Sequence, residues 1–415
     1  TKSFFSKKQV GEFPIGIKPF TFWCFGTTRA GKSMMTLNMA KQNIENGDSV
    51  VFLDSKCESG ILSEIKKAAE KAGRIADVKV INADTDYNSI NLFSIEFTSE
   101  EIIEHIMSVV NGWREPFFNN FCREILQAYF SVKQFLSDGK HVFSSLKIIA
   151  DMKYQDMITI KEELENMITK LKDIANLSEK DSEKKFYRDK IIDVENVLTD
   201  FKKTIDAPKD YLIMSLSHIR VALTQMNELG FGTNSQQKNE LFELIHSDKT
   251  FILVVQAGGL AQRDKSGIVL KSILSVVRTS AARDYSSAKN IKKRMHIYLD
   301  EAQNLLYRGV DDLFALSPMI GYYIYGFCQS INQMKDTAGE ELTKSILDNT
   351  YTKVFMRTSD IATAEYAGNE LSQCLENLAN PKIYHSLESG EFFVKTIKNK
   401  KEYIYHGKCS IVELS

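Results

Sequence analysis

The stretch Phe20–Ser33, Phe-Thr-Phe-Trp-Cys-Phe-Gly-Thr-Thr-Arg-Ala-Gly-Lys-Ser, constrains the chain more than any other. An apolar run ends at Gly26. Gly31, Lys32 and Ser33 follow at the spacing G-x-x-x-x-G-K-[ST], and a helical apolar pattern (Met34, Met35, Leu37, Met39, Ala40) begins at once. Strand, phosphate loop and helix in that order make a P-loop. The two glycines let backbone N–H groups approach phosphate oxygens with no Cβ in the way. The helix start offers unpaired N–H groups and the positive end of its dipole. Lys32 is placed for the β- and γ-phosphates and Ser33 for Mg²⁺. Gly26, Thr27, Thr28, Arg29, Ala30, Gly31, Lys32, Ser33 and Met34 are therefore the expected nucleotide-binding residues, with ATP and Mg²⁺ as the ligands.

The 415 residues suffice for two or three domains, and 43% apolar with 26% charged residues is an ordinary globular balance. A net charge of −1 gives no global signal for nucleic acid, although it leaves room for a local basic pore. Six scattered cysteines without a C-x-x-C pair suit reduced thiols in a cytoplasmic protein. The seven histidines form no ligand-spaced cluster, so no structural zinc is expected. No run of about 18 apolar residues exists, so no membrane span is expected. The chain starts at Thr1 without Met, which suits a piece of a longer protein whose targeting or membrane segment lies upstream.

Residues 1–19 carry Gly11, Pro14, Gly16 and Pro19 and predict no regular element. Asn46-Gly47-Asp48 reads as a turn and Ser49–Leu53 as a buried strand ending in Asp54-Ser-Lys-Cys-Glu58. Asp54 or Glu58 is either part of a metal-water shell or simply an exposed strand end. From about Ser99 to Leu229 the pattern turns helical, with a hairpin over 154–204 and a polar loop at Leu177–Lys185. Its Lys/Glu alternation reads as a solvated face. Strands and helices alternate again afterwards: Phe251–Val255, Met295–Leu299, Tyr322–Phe327 and Lys353–Met356 are strands, and Glu391–Lys398 pairs with Lys401–His406 around Asn399-Lys400. The expected division is a nucleotide-binding domain in two parts, 1–98 and 230–415, with an all-helical domain, 99–229, inserted between them. The fold class is α/β, a RecA-like P-loop domain on a mainly parallel sheet.

Leu299-Asp300-Glu301 at a strand end is a Walker B pattern, with Asp300 for Mg²⁺ and Glu301 to orient and deprotonate the attacking water. Gln329 ends the next strand, where a neutral amide can sense the γ-phosphate. Phosphoryl transfer also calls for an arginine, and Arg29, Arg263, Arg308 and Arg357 are the candidates. Arg263 falls in a Gly-flanked loop and Arg357 follows a strand.

Gly-Thr-Thr-Arg-Ala-Gly-Lys-Ser, Leu-Asp-Ser-Lys, Tyr-Asn-Ser-Ile-Asn-Leu-Phe, Ile-Tyr-Leu-Asp-Glu-Ala-Gln-Asn-Leu and Gly-Phe-Cys-Gln-Ser-Ile-Asn-Gln-Met together resemble the type IV coupling proteins of conjugation and type IV secretion. The TraD-like branch of the FtsK/HerA group of motor ATPases is the most similar, over residues 20–95 and 250–370. The resemblance implies an ATPase that passes relaxase-bound DNA, or effector proteins, to a type IV secretion channel. It implies a homo-hexamer at the cytoplasmic face of the bacterial inner membrane for the full-length protein, with a monomer as the alternative for a chain lacking its membrane anchor. Some relatives carry an arginine finger shortly before the Gln, whereas this chain has Ser317-Pro318-Met319 there. That departure keeps open a weakly hydrolysing docking platform.

Overall fold

The computed structural model describes residues 21–82, 87–110, 116–137, 152–231, 237–257, 263–287, 293–372, 376–398 and 401–409. The expectations for residues 1–19 and for the Asn399-Lys400 turn lie outside these residues. The chain forms two compact units, one from Thr1–Thr85 with Leu244–Ser415 and one from the intervening Asp86–Glu243.

The first unit is built on a nine-stranded sheet of order β3-β4-β2-β5-β6-β1-β7-β8-β9. The strands are β1 (Thr21–Phe25), β2 (Ser49–Leu53), β3 (Val78–Asn82), β4 (Ile252–Gln256), β5 (Met295–Leu299), β6 (Tyr322–Cys328), β7 (Thr352–Met356), β8 (Glu391–Lys398) and β9 (Lys401–Lys408). β1 to β7 pair in parallel, and the last two strands add antiparallel. Every residue of β1, β2, β5 and β6 is buried, because a parallel sheet covered on both faces requires apolar residues at consecutive positions. The edge strand β9 is mostly exposed, and its Lys, Glu and His residues keep that edge polar.

Successive side chains of β1 enter different layers. Phe22 and Cys24 join Val50, Phe52, Val254, Tyr298 and Met356 in one cluster, closed by Met35, Ala40 and Ile44 of helix α1 (Lys32–Glu45). Trp23 and Phe25 face the other way, Trp23 against Phe314 at 5.7 Å and Phe25 against Tyr366 at 6.0 Å between ring centroids. Trp23 lies flat over Gly326 of β6, where a Cβ would come within 2.4 Å of the indole. The indole N–H donates to Cys328 Sγ at 3.1 Å.

The second unit is helical. Thr98 and Glu101 cap its first helix reciprocally, the Thr98 amide donating to Glu101 Oε2 at 2.8 Å and the Glu101 amide to Thr98 Oγ1 at 3.3 Å. Helices Tyr154–Leu177 and Asp181–Ile205 form the hairpin, burying Met157, Ile160 and Leu164 on one arm and Val194, Leu198 and Phe201 on the other. Lys172–Glu195 at 3.0 Å and Lys202–Glu165 at 2.8 Å link the arms. The connection is shorter than the polar stretch suggested. Asp181 and Glu183 sit in the first turn of the second arm, where the helix dipole favours acids. The unit's two ends meet: Asn91 donates to the Gln237 carbonyl at 2.7 Å, and Asn239 to the Asn91 carbonyl at 3.1 Å. Among the described residues no helix is long and apolar enough to cross a membrane.

Gly326→Ala forces its Cβ into the fully buried Trp23 ring, and overpacking of this kind costs about 1–3 kcal/mol. A lower melting temperature with an altered tryptophan fluorescence spectrum is the expected result; an unchanged melting curve contradicts the packing described.

Candidate nucleotide site

The parallel strands end on one edge of the sheet, and their register decides which residues meet there. Phe25 pairs with Cys328, Leu299 with Gly326, and Leu53 with Leu299. The residues that follow β1, β6, β5 and β2 therefore stand side by side, about 4.8 Å from strand to strand. β6 lies between β1 and β5, so Gln329 falls between the P-loop and the Asp300-Glu301 pair.

The P-loop is tied down on both sides of β1. The Gly26 amide donates to the Cys328 carbonyl at 3.2 Å, and the Thr27 amide to the Arg357 carbonyl at 2.9 Å. Thr27 Oγ1 donates to that same carbonyl at 3.1 Å. Gly26 has no room for a side chain, since a Cβ would sit 2.9 Å from that of Met356. Lys32 is buried and its ammonium donates to the carbonyls of Gly26 at 2.5 Å and Thr27 at 3.2 Å, within the curl of the loop. Ser33 and Met34 are half-buried, Ala30 is buried, and Thr28 and Arg29 are exposed. α1 starts without a side-chain cap and without an acid in its first turn, which leaves that turn's N–H groups for an anion.

A strut on the far side of the loop was not foreseen. The turn leading into β8 lies against it: the Gly390 amide donates to the Ala30 carbonyl at 2.7 Å and Ser389 Oγ to the Arg29 carbonyl at 2.9 Å. Gly31 has φ 110°, and a Cβ there would meet Gly390 Cα at 2.8 Å. No local pattern in the sequence announces this contact.

Asp300 is 2% exposed, and its Oδ2 is buried without a hydrogen-bond partner. Burial foremost, helped by the neighbouring acids and only partly opposed by Lys56, pushes its carboxyl up to about 7. An orphaned, buried carboxylate oxygen suits a hard divalent cation such as Mg²⁺. Glu301 is equally buried, with backbone φ 49°. Gln303 Nε2 donates to its Oε2 at 2.6 Å, Gln329 Nε2 lies 3.2 Å from both oxygens, and Lys56 forms an ion pair with Oε1. Burial raises the Glu301 carboxyl, but these donors outweigh it and hold it below its ordinary value.

Asp54 is not an exposed strand end, and hydrogen bonds take both of its carboxylate oxygens. It is fully buried, its Oδ1 accepts from the amides of Lys56 and Cys57 at 2.9 and 3.0 Å, and its Oδ2 accepts from the Glu58 amide at 2.9 Å and from Gln256 Nε2 at 2.8 Å. Glu58 is exposed. The strand-ending Asp followed by two polar residues is the signal of such a turn. Lys56, the residue this turn presents, carried no role in the sequence reading. Of the arginines, Arg357 is half-buried beside the P-loop, Arg308 is exposed, and Arg263 begins the helix Arg263–Ser286 rather than sitting in a loop.

Gly31→Ala is expected to spread the Gly31–Gly390 contact. Amide exchange at Gly390, bonded to the Ala30 carbonyl, then accelerates well beyond that of the β1 amides. Unchanged protection there contradicts the strut.

Residues 294–379 match the family model described as the TraM recognition site of TraD and TraG. The fold is similar to that of the plasmid coupling protein TrwB. The form in complex with a non-hydrolysable ATP analogue is 16% identical with a TM-score of 0.63, over 95% of this chain and 86% of that one. The form with ADP and Mg²⁺ is 15% identical with a TM-score of 0.62, over 96% and 87%. The unbound bacterial conjugative coupling protein TrwBdeltaN70 is 15% identical with a TM-score of 0.61, over 96% and 87%. No curated protein matches by sequence. Residues 294–379 thus resemble the TraM-recognition segment of TraD and TraG, and the chain shares the fold of the coupling protein TrwB.

Proposed function

We propose that this chain is a Mg²⁺-dependent ATPase whose turnover moves conjugative DNA, brought by a relaxase, toward a type IV secretion channel. The observation that carries the catalytic part is the unpartnered, buried Oδ2 of Asp300. It ends the strand two places from the P-loop strand, with Glu301 beside it and Gln329 between.

In this reading the P-loop amides from Gly26 to Met34 cradle the phosphates, and the Lys32 ammonium moves from loop carbonyls to phosphate oxygens. Ser33 and Asp300 would hold Mg²⁺, which when bound would supply positive charge to the phosphates. Glu301 orients the attacking water and accepts its proton. Gln329, at present bonded to Glu301, reports the terminal phosphate. Arg357 is the arginine whose backbone is already fixed to the loop, which favours it for the counter-charge. The TrwB forms with nucleotide support the choice of ligand. The TraM-recognition match supports relaxase-complex partners and other type IV secretion components. A homo-hexamer anchored at the cytoplasmic face of the inner membrane is the assembly that suits such work, with the helical unit, near residues 99–229, available for cargo. The net charge of −1 favours a second reading in which the cargo is an effector protein.

Steady-state hydrolysis with and without DNA, at low salt where phosphate contacts are strongest, is the test. Lys32→Ala and Glu301→Gln are expected to lower kcat by about 10²-fold or more, and EDTA to abolish turnover. Equal turnover in all three proteins overturns the assignment. Hydrolysis without DNA binding leaves the protein-cargo reading.

A further inference from the structure

A carboxylate offers about four lone-pair positions, and those of Glu301 are filled. Lys56 and Gln329 take Oε1, while Gln303 and Gln329 take Oε2. Of the three donors only Lys56 is charged. It approaches from the loop after β2, on the side of Glu301 away from the P-loop strand.

The mount that delivers Lys56 is built with unusual thoroughness. A fully buried carboxylate, Asp54, spends both oxygens on the amides of residues 56–58 and on Gln256 at the end of β4. Cys57 takes φ 56° to complete the turn. Such a left-handed residue persists only where its surroundings over-determine it. Ser55 Oγ also donates to the Asp300 carbonyl at 3.3 Å, joining the turn to the end of β5. A chain of contacts thus runs from Gln256 through Asp54 and Lys56 to Glu301.

We propose that Lys56 is a positioning residue for Glu301: its ion pair fixes the direction of the carboxylate on a backbone already held at φ 49°. Without that pair only neutral amides hold the side chain, and Gln329 meets both oxygens at a long 3.2 Å. The inference rests on the ATPase reading. Lys56 belongs to a strand end three places from the P-loop strand, so its removal acts at the Asp300-Glu301 strand end and not on the P-loop amides.

The experiment measures kcat and KM for MgATP in the full chain with Lys56→Met, Lys56→Gln and Lys56→Arg, alone and combined with Glu301→Gln. Melting curves establish that each variant is folded. Met and Gln are expected to lower kcat about tenfold or more with KM within about twofold, and Arg to recover most of the loss. In the Glu301→Gln background, Lys56→Met is expected to add nothing, since two groups acting as a unit are not additive. Wild-type kcat in Lys56→Met overturns the proposal, as does a loss that multiplies with that of Glu301→Gln. Loss of kcat and KM together without rescue by Arg also overturns it. Absence of hydrolysis by the unmutated chain overturns the ATPase reading, and this inference with it. Hydrolysis that needs Glu301 and ignores Lys56 overturns this inference alone.

Discussion

The pairing of β1 with β6 is the constraint on which the site depends. Phe25 stands opposite Cys328, and the hydrogen bond from the Gly26 amide to the Cys328 carbonyl continues the ladder one step past the strand. That step sets Gln329 beside the loop and, through the β5–β6 register, beside Glu301. Strand registers of this kind are all-or-none, because a slip by one residue sends every side chain to the other face. Trp23 over Gly326 makes the slip costly on one face, and the Phe22–Tyr325 and Phe22–Phe327 contacts make it costly on the other. The packing of the core and the geometry of the site are thus one arrangement.

Charge at the strand ends is distributed with equal economy. Asp54, Asp300 and Glu301 are all nearly or wholly buried at the ends of the adjacent strands β2 and β5. Burying several carboxylates is tolerable only if each has a different solution to its charge. Asp54 takes backbone amides, Glu301 takes an ammonium and two amides, and Asp300 is left with an oxygen facing no donor and a carboxyl raised to about 7. Three acids of similar chemistry become a turn former, a candidate base and a candidate metal ligand through their neighbours alone.

Much of this was legible in the sequence because its signals are local. The P-loop joins strand, loop and helix within a few residues, and the fully buried strands announce themselves as apolar runs. The Asp-Glu pair and Gln329 were visible as strand ends, and the structure brings them together. What was not legible depends on partners far along the chain. Lys56 finds Glu301 only because β2 lies beside β5, and β4 enters between β3 and β2 after the whole helical unit has intervened. In sequence Asp54 suits a ligand or a surface acid equally, and the turn that consumes it differs from either. The helical hairpin's loop was overestimated because acids at a helix start look, in composition, like a polar linker.

The strut formed by Ser389 and Gly390 bears on the order in which the loop is completed. Ser389 and Arg29 are separated by 360 positions in the chain, yet they are in direct contact. A ribosome delivers the loop well before its support. Loop closure over such a span is entropically slow. The phosphate loop of a growing chain therefore waits, without its outer wall, until the turn at Ser389 and Gly390 has emerged. A chain that stops before Ser389 carries the motif without the loop's finished shape.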